Sequence, residues 1–227
     1  MRKNTVAYTA PFVTFLVLLG LSGLVDSAHL LPAGSSAKYF IFPLQTLVCA
    51  GVLAWFWPQY RLCAPRKAWI AVGIGALIFG LWVWVFPPIL QRIFHQPPRL
   101  IGFDPGVFAG QPMFYWGEVV IRFARLVLVV PVLEEIFWRG FLLRYLINEE
   151  FEAVPFGTYA RLANAAVAIG FMLEHSYPDW PAALVTGFAY NFVACRTRSL
   201  SSCIVAHALT NALLGVFIMA TRQWGFW

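Results

Sequence analysis

Charge is scarce in this sequence. Of its 227 residues only 11% are Asp, Glu, Lys or Arg, against roughly 25% in an ordinary soluble domain. That deficit excludes a disordered chain and argues against a soluble globular one. Cysteine is sparse too. Cys49, Cys63, Cys195 and Cys203 make no CxxC pair, so neither a disulfide framework nor a cysteine zinc site is expected, and the four read as small buried apolar residues. Several hydrolase motifs are missing. There is no HExxH, the helical zinc pattern. No Gly-x-Gly-Asp lies in an apolar run, and Asp26, Asp104 and Asp179 fall in connecting segments.

What is abundant is apolar surface. Hydrophobic residues make up 60% of the chain, with ten Trp and twenty-one Phe. A bilayer core takes about 20 apolar residues per helix. The expected fold is therefore all-α, a polytopic transmembrane helical bundle of about seven spans (six to eight). The spans are read at Thr9–Val25, Phe40–Trp57, Ala68–Leu90, Gly117–Ile147, Tyr159–Glu174, Ala182–Ala194 and Ser202–Ala220. Residues 1–116 supply N-terminal helices and a long loop, and 117–227 the helices that carry the chemistry, within one membrane domain.

The formal charge of +6 marks cytoplasmic loops better than it marks a nucleic-acid partner. Arg2 and Lys3 precede the first span, and Arg61, Arg66 and Lys67 follow the second. Positive-inside counting places the N-terminus and Pro58–Lys67 in the cytoplasm. Arg122 and Arg125 lie at one end of the fourth span and Arg139 and Arg144 at the other, so the count does not orient it. Pro87-Pro88 should end the third span. Gln91–Trp116, rich in Pro and Gly, reads as the longest loop. Pro131 should kink the long helix that follows, and Glu118 should pair with Arg122 four residues on.

Ionisable groups inside apolar spans cost several kcal/mol unless paired or solvated, so they carry the functional argument. In Glu134-Glu135-Ile-Phe-Trp-Arg139 the adjacent carboxylates point about 100° apart on a helix. Glu135 and Arg139, four apart with Glu first, can neutralise each other. Glu134 is left for chemistry, and a carboxylate in a low-dielectric cavity is a better base near neutral pH. His175 ends an apolar helix before Pro178, with Glu174 beside it on another face, open as a loop-side or supporting carboxylate. His207 and Asn211 share one helix face and can hold a polarised oxygen. Tyr190-Asn191 reads as packing, and His29 and His95 as incidental loop residues.

These three motifs together resemble the CAAX-protease and bacteriocin-processing (CPBP, or Abi) family of intramembrane proteases. Its pattern is Glu-Glu-x-x-x-Arg, then Phe-x-x-x-His, then His-x-x-x-Asn/Asp. Here it is met by Glu134–Arg139, Phe171–His175 and His207–Asn211, in order along successive helices. The Arg139-Gly-Phe-Leu142 continuation and the Thr197-Arg-Ser-Leu200 turn resemble the family too. A narrower resemblance, through Ala7–Phe12 and Gly102-Phe-Asp-Pro-Gly106, is to the exosortase-associated CAAX-protease-related subgroup of bacteria.

The resemblance implies an endopeptidase that cuts near the end of a membrane-associated protein or peptide. Glu134 would activate a water that His175 helps to hold. His207 and Asn211 would stabilise the oxyanion, with Glu135, Arg139 and Phe171 in support. It implies no cofactor, with zinc on Glu134, His175 and His207 as the alternative. The expected partners are the lipid bilayer and that substrate, not nucleic acid. The expected location is integral and multi-pass, in a bacterial inner (plasma) membrane with a cytoplasmic N-terminus. Two other readings use the same residues. One is a non-catalytic peptide-binding or bacteriocin-immunity protein of the same fold, and the other is an intramembrane proton or ion carrier.

Overall fold

The structure, a computed structural model, describes residues 3–28, 30, 36–97 and 99–227. Arg2, the Lys3 side chain, His29 and Pro98 lie outside what is described. The chain forms an all-helical membrane bundle. It comprises α1 (Lys3–Ser27), α2 (Lys38–Phe56), α3 (Ala68–Gly80) running into α4 (Phe86–Phe94), and α5 (Pro112–Phe123) running into α6 (Val130–Glu135) and α7 (Leu143–Tyr145). Three further helices are α8 (Arg161–Leu173), α9 (Trp180–Thr197) and α10 (Leu200–Thr221). Of the resulting seven helical rods, four are long and apolar enough to cross a membrane: Asn4–Ser27, Lys38–Gln59, Ala68–Phe94 and Leu200–Thr221. The other three carry most of the buried polar groups. Asp26, expected in a loop, sits in the last turn of α1, where Oδ1 accepts the Ala37 N–H at 2.7 Å.

The reading of Pro87-Pro88 as a helix end is corrected. The helix from Ala68 runs through Pro87-Pro88 to Phe94 instead of ending there. Both prolines lie in the first turn of α4, directly after a π-helical turn at Leu81–Val85. Pro131 likewise follows a π-helical turn, Ala124–Val129. A proline removes one backbone donor and crowds the preceding turn. A π turn widens the helix just before it and lets the rod continue. The loop read at Gln91–Trp116 is shorter, because Pro112 occupies the first turn of α5, where a missing N–H costs nothing.

The rods alternate in direction, which brings particular loops together. At one end Arg66 N donates to Ser202 Oγ (2.9 Å), Lys67 Nζ to the Arg196 carbonyl (3.0 Å) and Asn4 Nδ2 to Glu152 Oε2 (2.7 Å). Arg61, Arg144 and Arg198 lie at this end as well. At the other end Arg99 pairs with Asp179 at 2.5 Å and accepts the Gly225 N–H at its carbonyl (2.8 Å). Exposed aromatics ring both ends, Trp55, Trp57 and Tyr159 at the first and Trp84, Trp116 and Tyr177 at the second. Such belts sit at headgroup level on the two membrane faces.

The core is aromatic and closely spaced. Phe12 of α1 stacks on Phe137 at 4.1 Å and meets Trp138 edge-on at 5.4 Å. Trp138 meets Phe171, which meets Tyr190. Cys49 and Cys203 are buried as expected, but Cys63 is exposed and Cys195 is partly so, because both sit in or beside the loops of the basic end. Small residues set the helix spacing, as packing in lipid favours. A Cβ on Gly187 would lie 2.8 Å from the Ala168 Cα, whereas one on Gly51 would meet nothing within 4 Å. Gly187→Leu should therefore lower the apparent melting temperature in detergent by roughly 5 °C, through overpacking. Gly51→Leu should leave it unchanged in the same thermal scan.

Candidate active site

The three sequence motifs converge. Arg139 is fully buried and forks to three acceptors. Nη1 donates to Glu135 Oε1 (3.0 Å), Nε to Asn191 Oδ1 (3.1 Å) and Nη2 to the Gly187 carbonyl (3.0 Å). Its guanidinium also lies over the rings of Phe171 (5.0 Å) and Tyr190 (5.4 Å). Residues 136–142 form another π-helical turn, so Glu134 and Glu135 stand between two such turns. Irregular helical turns of this kind recur at functional sites.

Glu135 Oε1 also meets His207 Nδ1 at 3.0 Å. A carboxylate only accepts, so this nitrogen carries the proton and Nε2 is left for the cavity. His207 Nε2 lies 4.0 Å from Glu134 Oε2. His175 repeats the pattern. Its Nδ1 lies 2.8 Å from the Phe171 carbonyl, which can only accept, so Nε2 is again the free nitrogen. Trp82 packs against the His175 ring at 5.7 Å and donates Nε1–H to Thr186 Oγ1.

Asn211 is placed by Pro131. The π turn carries a five-residue bond, Val130 N–H to the Arg125 carbonyl. The next such donor would be residue 131, but proline has no N–H. The Leu126 carbonyl is thus left open, and Asn211 Nδ2 donates to it at 2.9 Å. One amide hydrogen is used and the second remains.

Glu134, His175, His207 and Asn211 line one cavity of about 160 Å³, with Phe171, Tyr190 and Asp179 also in its wall. Of the expected residues, Glu134, Phe171, His175, His207 and Asn211 are in the wall of this cavity, and Glu135 and Arg139 lie immediately behind it. Tyr190-Asn191 pack as read and also hold the site. Tyr190 lies against His207 at 5.1 Å and donates to Thr210 Oγ1 at 2.8 Å, and Asn191 takes Arg139. As a zinc set, Glu134, His175 and His207 do not group. Among the described residues no three His, Cys, Asp or Glu side chains are disposed to hold a metal ion.

Trp138 was not legible as a site component, and Glu174, open in the sequence as a supporting carboxylate, joins it there. The Glu174 carboxyl is within hydrogen-bonding reach of Glu134 and accepts the Trp138 Nε1–H at 3.0 Å. Glu174 is the C-cap of α8, with its backbone still in the right-handed helical region. Trp138 stands four residues after Glu134, and that spacing is its one sequence signal. The expected Glu118–Arg122 pair does not form. Glu118 Oε2 and Arg122 Nε and Nη1 make no hydrogen bond, because the guanidinium lies over Phe42 (4.8 Å) and Phe103 (4.9 Å).

The family model described as type II CAAX prenyl endopeptidase Rce1-like matches residues 116–213. That span contains all three motifs, and it bears out the CPBP resemblance. It does not reach Ala7–Phe12 or Gly102–Gly106, which carry the narrower one. No curated protein and no solved structure matches the chain.

Removing the fork should cost more than altering it. Arg139→Met leaves the buried Glu135 with His207 as its one partner and no guanidinium, a loss of about 3–5 kcal/mol. Arg139→Lys keeps the charge but cannot reach all three acceptors, costing about 1–3 kcal/mol. The folded fraction on size-exclusion after extraction should fall in that order. A Met variant as stable as wild type would show that the fork does not hold the bundle.

Proposed function

We propose that the chain, a member of the Rce1-like endopeptidase family through residues 116–213, is an intramembrane endopeptidase. It hydrolyses a peptide bond near the end of a membrane-associated protein or peptide. The observation that carries this reading is the single cavity lined by Glu134, His175, His207 and Asn211, a base, a water holder and two donors around one space.

In this reading a water sits between Glu134 and His175 Nε2. Glu134 takes its proton as the oxygen attacks the scissile carbonyl carbon. The C–O bond forms and the carbonyl π electrons move to oxygen. The second amide N–H of Asn211 and the Nε2–H of protonated His207 donate to that oxyanion. Glu135, already against His207 Nδ1 at 3.0 Å, balances the imidazolium. Collapse breaks the C–N bond, and Glu134 returns its proton to the leaving amine. Glu174 and Trp138 orient the Glu134 carboxyl. Zinc is not needed for any step, and the arrangement of Glu134, His175 and His207 favours the metal-free reading.

The orientation follows from the two ends. Exposed Arg61, Arg66, Lys67, Arg196 and Arg198 cluster at one, so that end and the N-terminus are cytoplasmic, in a bacterial inner membrane. The cavity lies on the other side of Glu134. Asn211 and Leu214, Val130 and Leu126, His175 and Asp179 lead from it toward the opposite end, where Phe226 joins the wall. The site therefore opens away from the cytoplasm, and a prenylated cytoplasmic terminus is a poor substrate.

Two experiments test these statements. With membrane-tethered reporter peptides, Glu134→Gln should lower release by roughly 10²–10⁴-fold and Asn211→Ala by about 10²–10³-fold. A chelator should leave the wild-type rate unchanged. Release that survives Glu134→Gln would leave the peptide-binding reading in its place. Separately, a membrane-impermeant maleimide should label Ser176→Cys in intact cells and the native, exposed Cys63 only after permeabilisation. The reverse pattern would overturn the orientation without touching the chemistry.

A further inference from the structure

A second cavity, of about 430 Å³, lies at the basic end and shares no residue with the site above. We propose that it binds the phosphate of an anionic phospholipid headgroup. Arg61 and Arg66 from the segment after α2, Arg144 of α7 and Arg198 before α10 converge on it, and Glu152 is the one acid in its wall.

The partners of these groups show what is missing. Arg144 is satisfied by the protein: Nε donates to the Val154 carbonyl (2.8 Å) and Nη1 to the Gly140 carbonyl (3.1 Å). Glu152 Oε2 is taken by Asn4. The guanidinium groups of Arg61, Arg66 and Arg198 make no hydrogen bond or ion pair among the described residues. Four cations against one acid repel each other in a recess that water fills less freely than an open surface. A phosphate between them removes that repulsion and takes paired N–H donors, the geometry guanidinium groups offer.

The depth of the cavity selects the source of that phosphate. Exposed Trp55, Trp57 and Tyr159 ring the same end, which sets the cavity at headgroup level. Tyr8, Phe156 and Leu200 add apolar wall beside the arginines, as the first carbons of acyl chains require. Basic recesses of this kind between membrane helices take anionic headgroups. A free phosphate shares the chemistry at the arginines but has no use for the apolar wall.

Native mass spectrometry of the full chain, titrated with phosphatidylglycerol or phosphatidylcholine, tests this. Wild type should retain phosphatidylglycerol in preference. The double variant Arg61→Gln/Arg198→Gln should retain it roughly 25-fold less, each arginine near an anionic surface being worth about fivefold. Both side chains are exposed, so an unchanged melting temperature is expected and confirms that the fold is kept. Equal retention by wild type and variant would overturn the site. Inorganic phosphate that binds as tightly as the lipid and displaces it would overturn the lipid assignment, and failure to displace it supports the headgroup.

Discussion

The site depends on one buried guanidinium. Arg139 ties its own helix to α9 twice, through Asn191 and the Gly187 carbonyl, and neutralises Glu135. Glu135 in turn fixes the ring of His207 on α10. Three rods are thus registered by one side chain that reaches no water. A buried ion pair is often no more stabilising than an apolar replacement. Its use here is geometric, since the fork has one arrangement that satisfies all three acceptors. The second carboxylate is freed by the same bond. With the Glu135 charge shared between Arg139 and His207, Glu134 is left to face the cavity, its Oε2 4.0 Å from His207 Nε2.

Backbone irregularity supplies the other half of the placement. Pro131 would break a straight helix. The chain absorbs it with a π turn, and the carbonyl that turn leaves at Leu126 becomes the anchor of Asn211. In water an open carbonyl would be solvated. Inside a bilayer it must be satisfied by protein, so the defect selects a polar residue at that height on α10. A residue that looks like a helix breaker in the sequence is what aims an amide at the cavity.

This explains which parts of the site were legible. Spacing of four along a helix is local, and it placed Glu135 on Arg139 and His207 beside Asn211. The rod count also followed from apolar length. Glu174 could be read only as a carboxylate near the site, because its bond to Trp138 on another rod is a tertiary contact that spacing does not encode. Pro87-Pro88 was misread because the π turn before it has no signature in residue type. Glu118 and Arg122 were expected to pair by spacing alone, but the guanidinium found Phe42 and Phe103 instead. An aromatic face competes well for arginine once water is excluded.

The polar network also bears on what the cavity does. A proton or ion carrier needs polar groups that continue from one membrane face to the other. Here they run inward from Asp179 through His175 and Glu134 to Arg139 and Asn191. Beyond that level the bundle closes with Leu143, Val193, Ala194 and Cys203, each at most 1% exposed. The Phe12–Phe137–Trp138 stack seals the side toward α1. A cavity closed on those sides gives a carrier no continuous polar path, and it suits the proposed hydrolytic reading, in which water and a peptide reach a fixed base.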